Sequence, residues 1–436
     1  MLFLLQLTLL FCKKYHVKLC PGKSKLQVFS TKAMAETVQY AKETNPIIID
    51  GEPIEFVDSA EHVGLIRSTT GNLPSILARI KAHRKALGAV LHTGMARGHR
   101  GNPAASLRVE QMYGVPVLLS GLGALYLSKT EENLVDLHHK GIIMNLQRLL
   151  PNTPRSVSCF LAGSLPGSAL LHLRQLSIFG MICRLPGSIL HEHALNIFSS
   201  ATPSSKSWFF QIREHCLRYR LPHPLNLLQS PPSKVSYKLL TKKHVLDYWE
   251  QALRHEASEL SSLTFFKPNF MSLSFPHPVW TTAGSSPSKV SMATIQSQMI
   301  SGRYRSEALC SHWSSNKSGY CQLSNECSSI LEDIPHILAI CTKLEPTRKK
   351  LWKFTIEYCD RVPNIKQLVH LLCSNSSTNT TMFCQFLLDC SSMPEVIAAV
   401  QNDGDEILHH LFHISRTWVY TLHRERMKRL GRWNPL

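Results

Sequence analysis

The stretch 73–91, LPSILARIKAHRKALGAVL, decides the fold class. Leu73, Ile76, Leu77, Ile80, Leu87 and Leu91 recur at helical spacing, with Arg79, Lys81, Arg84 and Lys85 flanking or opposing that face. Asn72 and Pro74 suit its start. Upstream the period shortens. Ile47–Ile49, an Asp50-Gly51 turn and Ile54–Val57 read as a hairpin, and Tyr15–Cys20, Pro21-Gly22 and Leu26–Phe29 as another strand pair. Downstream, helical patterns are expected at about 104–126, 130–149, 167–182, 187–198, 346–359, 363–373, 379–389 and 404–430. Residues 201–300 are richer in Ser, Pro and Phe and read as helical or linker, with Ser230-Pro231-Pro232-Ser233 as the hinge. The pattern predicts a mainly α protein with a small α+β N-terminal piece.

Charge is the first functional clue. Among 436 residues, 48 Lys and Arg stand against 30 acids, a formal net of +18. Such an excess points to polyanions, nucleic acid or an anionic membrane surface first among them. Segment 67–108 holds Arg67, Arg79, Lys81, Arg84, Lys85, Arg97, Arg100 and Arg108 with no acid. The C-terminus carries Arg416, Arg424, Arg426, Lys428, Arg429 and Arg432 against Glu425. Two basic faces are therefore expected.

Hydrophobic residues at 44% and charged residues at 18% exclude a wholly disordered chain. No uncharged apolar run long enough to span a bilayer lies beyond the N-terminus, so no stable membrane span is expected. The opening MLFLLQLTLLFCKK has the length of a signal core. It lacks a preceding basic residue and a following small-x-small site, so a cytoplasmic or nuclear location is expected.

Thirteen cysteines, eight of them from Cys310 onward, do not resemble a secreted disulfide scaffold. Cys321-x5-Cys327-x8-His336-x4-Cys341 supplies three thiols and an imidazole, the ligand set of a closed tetrahedral zinc site. His336-x4-Cys341 can lie across one helical turn begun by Glu332-Asp333, and Cys310 or His312 can replace one ligand. The competing expectation is a small core of reduced cysteines.

Catalytic templates fail. Gly22-Lys23-Ser24 has Val17 where a phosphate loop needs its first glycine. Gly121 and Gly123 are two-thirds of a dinucleotide fingerprint. His191-Glu192-His193 lacks the i,i+4 spacing of a helical zinc pair, and His409 with His413 has it without a third ligand. Glu131-Glu132, Glu332-Asp333 and Asp403-Gly404-Asp405-Glu406 are the close acid pairs. The last fits the first turn of a basic helix better than a two-metal site, so no catalytic Mg²⁺ site is expected.

Several stretches, in order, resemble the polymerase protein of non-LTR (LINE-type) retrotransposons downstream of its catalytic palm. Lys18-Leu19-Cys20-Pro21-Gly22-Lys23-Ser24-Lys25-Leu26 is similar to the lysine-bearing turn after the catalytic strands. Phe56–Gly64 resembles the hairpin that grips the primer end. Residues 73–92 then stand where the first thumb helix does. Ser301-Gly302-Arg303-Tyr304-Arg305, His312-Trp313 and the Cys/His set resemble the basic segment and CCHC zinc motif of the C-terminal part. The resemblance implies a reverse transcriptase fragment lacking the catalytic aspartates, since Met1–Lys14 holds no acid where the Asp-Asp hairpin belongs. Lys23 or Lys25 faces a leaving pyrophosphate in an intact enzyme.

The expectation is therefore a palm remnant (1–66), a thumb-like helical domain (67–200), a helical or linker region (201–300), a CCHC knuckle (301–345) and a basic helical end (346–436). Such a chain is expected to be inactive as a polymerase while retaining binding to RNA, RNA–DNA hybrid or DNA. The basic groups are Lys23, Lys25, Arg79, Lys81, Arg84, Lys85, Arg97, Arg100, Arg303 and Arg305, with Trp313, Tyr304 and Tyr320 stacking on bases. The metal is structural zinc on Cys321, Cys327, His336 and Cys341. The alternative is a host interaction protein without a nucleic-acid role, secreted or anchored through residues 1–12. Oligomeric state is left open.

Overall fold

The structure is a computed structural model, and it describes residues 10–15, 24–27, 48–49, 52–62, 65–69, 71–90, 101–200, 207–316, 318–376 and 379–432. It is mostly helical, with three two-stranded pairings among the described residues. Ile48–Ile49 pairs antiparallel with Glu52–Pro53, leaving two residues for the turn. The return strand thus begins earlier than Ile54–Val57. Glu55–Phe56 instead pairs parallel with Lys25–Leu26. Ser59–His62 and Leu65–Ser68 form an antiparallel hairpin. Tyr15 is not the start of a strand: its N–H bonds the Phe11 carbonyl at 3.0 Å, an i−4 helical bond.

The helix Leu73–Val90 buries Ser75, Ile76, His83 and Leu87. Leu73 and Leu77 are exposed, so the inward stripe is shifted from the expected one. It advances by Ile76, Ile80, His83 and Leu87, a 4-3-4 step that keeps one face inward. His83 earns its place through polar partners, Glu110 Oε1 at 3.0 Å and His138 Nε2 at 2.8 Å. Glu110 opens a π turn, Glu110–Gly114, that links the helices Pro103–Val109 and Val115–Leu119. Pro116 has no N–H to give the preceding turn, and a Cβ at Gly114 would strike Glu110 and His83.

Next come Lys129–Leu146, opened by a Ser128/Glu131 capping box, and Gly167–Cys183. Between them lies Arg155–Ala162, a helix the sequence pattern did not suggest. Residues 207–300 hold the helices Trp208–Arg218, Pro224–Gln229, Lys234–Ser258 and Pro287–Ile300, with mostly turns and irregular backbone over 259–286. Ser233, expected in a hinge, caps the Lys234 helix by accepting from the Ser236 N–H at 3.1 Å.

One continuous apolar core runs from Leu107 to Leu422 and includes Phe160, Phe179, Trp280, Phe386 and Trp418. A smaller cluster of Ile76, Leu118, Leu122, Val135 and Leu171 seats the Leu73–Val90 helix. The terminal helix Glu406–Arg429 threads the large core, flanked by Glu345–Arg361, Thr380–Asp389 and Pro394–Asp403. Thr380–Asn402 is long and apolar enough to cross a membrane, but 56% of that window is buried inside the fold.

The second basic face is corrected here. Arg416 and Arg426 are fully buried in the terminal helix. Arg416 donates to the Phe412 carbonyl at 2.7 Å and the Thr282 carbonyl at 3.1 Å, and burial lowers its pKa to about 10. Arg429 pairs with Glu425 at 2.8 Å, and Arg432 pairs with Glu307. Arg424 and Lys428 remain exposed on that helix.

Candidate metal centre and the basic surface beside it

The segment 319–345 folds around four side chains. Cys321 donates its N–H to the Ile330 carbonyl at 3.0 Å, and Glu332 donates to Gly319 at 3.0 Å, closing a loop that carries Cys321 and Cys327. Ser324 caps the short turn Asn325–Cys327. The Asp333 carboxylate accepts the His336 N–H at 2.8 Å and starts a π turn, His336–Ile340. The Cys341 N–H closes it on the His336 carbonyl at 2.8 Å. That i,i+5 bond brings His336 and Cys341 to one side, as the four-residue spacing suggested.

All four residues are buried, and one ligand atom from each lies within 4.8 Å of the others. Cys321 Sγ and Cys341 Sγ are 3.9 Å apart. Two thiolates on a tetrahedral zinc, at Zn–S of roughly 2.3 Å, are separated by about 3.8 Å. Neither ring nitrogen of His336 has a hydrogen-bond partner. A buried imidazole with no partner is costly in a closed core, and a cation removes that cost. Burial and the adjacent Cys321 push the Cys341 thiol up to about 12, while the Thr342 hydroxyl pulls Cys327 down. Burial also lowers His336, which keeps the imidazole neutral and ligand-competent. The donors fit a cation that takes soft sulfur and one nitrogen. Cys310 and His312 stand outside this cluster.

The turn is fastened to the rest of the fold. Arg348 Nη2 donates to the Cys341 carbonyl at 2.7 Å. Glu332, expected to start the turn beside Asp333, is instead fully buried and paired with Arg426. Tyr304 is also corrected: it is buried, with its hydroxyl 2.7 Å from His423 Nδ1 and bonded to Arg426, so it is not free to stack on a base. Trp313 and Tyr320 are 55% and 43% exposed, and both precede Cys321 in sequence. Arg305 is exposed, and it joins His423 and Arg432 in lining a cavity of about 540 Å³. Arg303 is half-buried.

On the Leu73–Val90 helix, Lys81, Arg84 and Lys85 are exposed and Arg79 is half-buried. Lys25 pairs with Glu55 at 3.0 Å, which neutralises its charge locally. Lys23, Arg97 and Arg100 lie outside the described residues. Asp405 and Glu406 do begin the terminal helix.

Sequence spacing missed two polar clusters. One is His277, Asp389 and Ser391, of which His277 and Ser391 border an apolar cavity of about 340 Å³. They do not form a nucleophilic triad. The Val279 N–H donates to His277 Nδ1 at 3.1 Å, so the proton sits on Nε2 and faces Asp389 at 3.3 Å. Ser391 donates to the same carboxylate at 2.6 Å, leaving it no base. The other cluster is Glu132, His172 and His215, far apart in sequence on helices whose apolar faces hide the histidines. A scan of protein-family models, a search of curated proteins and a search of solved structures each find nothing that matches this chain.

Proposed function

We propose that this chain is a zinc-stabilised nucleic-acid-binding protein, derived from the thumb and C-terminal part of a LINE-type retrotransposon polymerase and without polymerase chemistry of its own. The convergence of Cys321, Cys327, His336 and Cys341 into one buried cluster carries this proposal. Zinc there cross-links the loop to the π turn and gives a small segment a rigid face. Trp313, Tyr320 and Arg305 supply that face with stacking surface and charge. Lys81, Arg84 and Lys85 present an exposed basic ridge on the thumb-like helix, and the hairpin of Ser59–His62 with Leu65–Ser68 overlaps the Phe56–Gly64 stretch that resembles a primer grip. Phosphates of RNA, an RNA–DNA hybrid or DNA are neutralised on the ridge with little sequence preference. A cytoplasmic or nuclear location goes with that role.

The test combines metal content with binding. Purified full-length chain is titrated with single-stranded RNA, hybrid and duplex DNA at several salt concentrations, with and without Cys321→Ser/Cys341→Ser. A steep loss of affinity with salt, together with a weaker single-strand affinity in the zinc-free variant, supports the proposal. Salt-independent or undetectable binding overturns it.

A further inference from the structure

Glu132, His172 and His215 come from three helices, Lys129–Leu146, Gly167–Cys183 and Trp208–Arg218. One ligand atom from each lies within 4.8 Å of the others. Both histidines are buried, His172 at 1% and His215 at 2% exposure. Each ligand is oriented from behind. Tyr219 Oη sits 2.6 Å from His172 Nδ1, and Trp249 Nε1 donates to that same hydroxyl at 3.1 Å. Gln211 Nε2 donates to Glu132 Oε1 at 2.6 Å.

The tautomer of His215 follows from its neighbours. Gln175 Nε2 donates to the Leu125 carbonyl at 3.2 Å and to Gln211 Oε1 at 3.0 Å, so Gln175 Oε1 is the atom facing His215. It accepts from His215 Nε2 at 2.8 Å. The Nδ1 atom is therefore left with a lone pair, and it has no hydrogen-bond partner although the residue is buried. A buried acceptor lone pair without a donor, on a histidine grouped with a carboxylate and a second imidazole, is an atom that a cation would satisfy. His172 Nε2 stands 3.3 Å from Glu132 Oε1, close to the edge of a tetrahedron of roughly 2.0–2.1 Å zinc bonds, which is about 3.3 Å.

We propose that Glu132, His172 and His215 form a second divalent-cation site, of the two-imidazole, one-carboxylate type that takes zinc, clasping three helices of the region 129–218. A metal on His172 Nε2 requires the ring proton on Nδ1, where the Tyr219 oxygen accepts it. Glu132 is the ligand that reaches solvent, at 15% side-chain exposure, so the fourth position is filled by water from its side. The donors are harder than those of the Cys321 cluster, so the two sites are separable by ligand chemistry. The site is independent of the nucleic-acid proposal.

The full-length chain, refolded in excess zinc and passed through a desalting column, is analysed for metal per chain. The expected value is two zinc per chain, of which the Cys321→Ser/Cys341→Ser variant keeps one. His215→Gln should lose one equivalent while keeping the thiolate-to-metal charge-transfer band when cobalt replaces zinc. Glu132→Gln, which keeps the Gln211 contact, is the second variant if His215→Gln folds poorly. Tyr219→Phe should weaken zinc binding at this site by about tenfold, because it removes the partner that orients His172. A cobalt-loaded Cys321→Ser/Cys341→Ser variant should show ligand-field absorption without the thiolate band. The proposal is overturned if that variant binds no cobalt, or if His215→Gln and Glu132→Gln both retain the wild-type metal content. Loss of one equivalent from the cysteine variant, with the other kept and then lost on adding His215→Gln, is the result expected of two separate sites.

Discussion

Arg426, in the last turn of the helix Glu406–Arg429, donates to the Glu332 carboxylate, and both side chains are fully buried. Burial pulls Arg426 down, but Tyr304 and Glu332 outweigh it and hold the guanidinium above its ordinary pKa. The pair joins the terminal helix to the loop that carries Cys321 and Cys327. Glu307 extends it, since its own N–H reaches Glu332 Oε1 at 3.0 Å and its carboxylate pairs with Arg432.

Removing one partner leaves the other charge buried and uncompensated. Arg426→Met or Glu332→Gln should each destabilise the fold by about 3–5 kcal/mol. Arg426→Met with Glu332→Leu should cost less than the sum of the single changes. Urea unfolding of the four proteins measures the coupling, and strictly additive losses would show that the pair is not a unit.

Cys321→Ser with Cys341→Ser should lose one equivalent of zinc and speed amide exchange across 319–345. Chelation of the wild-type protein should do the same, since a metal on these four ligands would close this loop. Retention of that zinc in the double variant would place the ligands elsewhere.

Reversal of charge on the exposed ridge, Arg84→Glu with Lys85→Glu, should weaken RNA, hybrid and DNA by similar factors and flatten the dependence of log affinity on log salt. Trp313→Ala should cost about 1–3 kcal/mol on single strands and little on duplex. Filter binding across a salt series separates the two effects. An unchanged salt slope in the charge-reversed variant would mean that the ridge is only a solvated surface.

Acid should destabilise the protein before its carboxylates titrate. Burial, then Arg426, lowers His423 to about 4, and burial, then His83 and Arg84, lowers His138 to about 4. Unfolded histidine titrates near roughly 6.5, so between that value and about 4 the unfolded chain binds protons that the fold refuses. Stability is therefore full above pH 6.5 and falls as pH drops through this window. Urea midpoints at pH 7.5 and pH 5 should show the loss, and His423→Gln should shrink it. Equal midpoints would contradict the sign.

The sequence by itself determined the mainly helical class and many helix positions, because 3.6-residue periodicity is a local property of the chain. The cysteines and His336 were also visible there: 21 residues span all four ligands, and one loop and one turn bring them together. The parallel pairing of Lys25–Leu26 with Glu55–Phe56 was harder, since it joins residues 30 apart in the chain, a distance that periodicity does not encode. Only the tertiary structure decided which charges are surface and which are core. Arg416 and Arg426 sit on the same basic helix as Arg424 and Lys428 and have the same side-chain chemistry, yet they are buried because Thr282 and Glu332 arrive from elsewhere in the chain. Glu132, His172 and His215 are separated by 40 and 43 residues, and their meeting depends on how three helices pack. A polar side chain on an apolar face carries no local mark of its partner, so its role appears only when the opposing helix is in place.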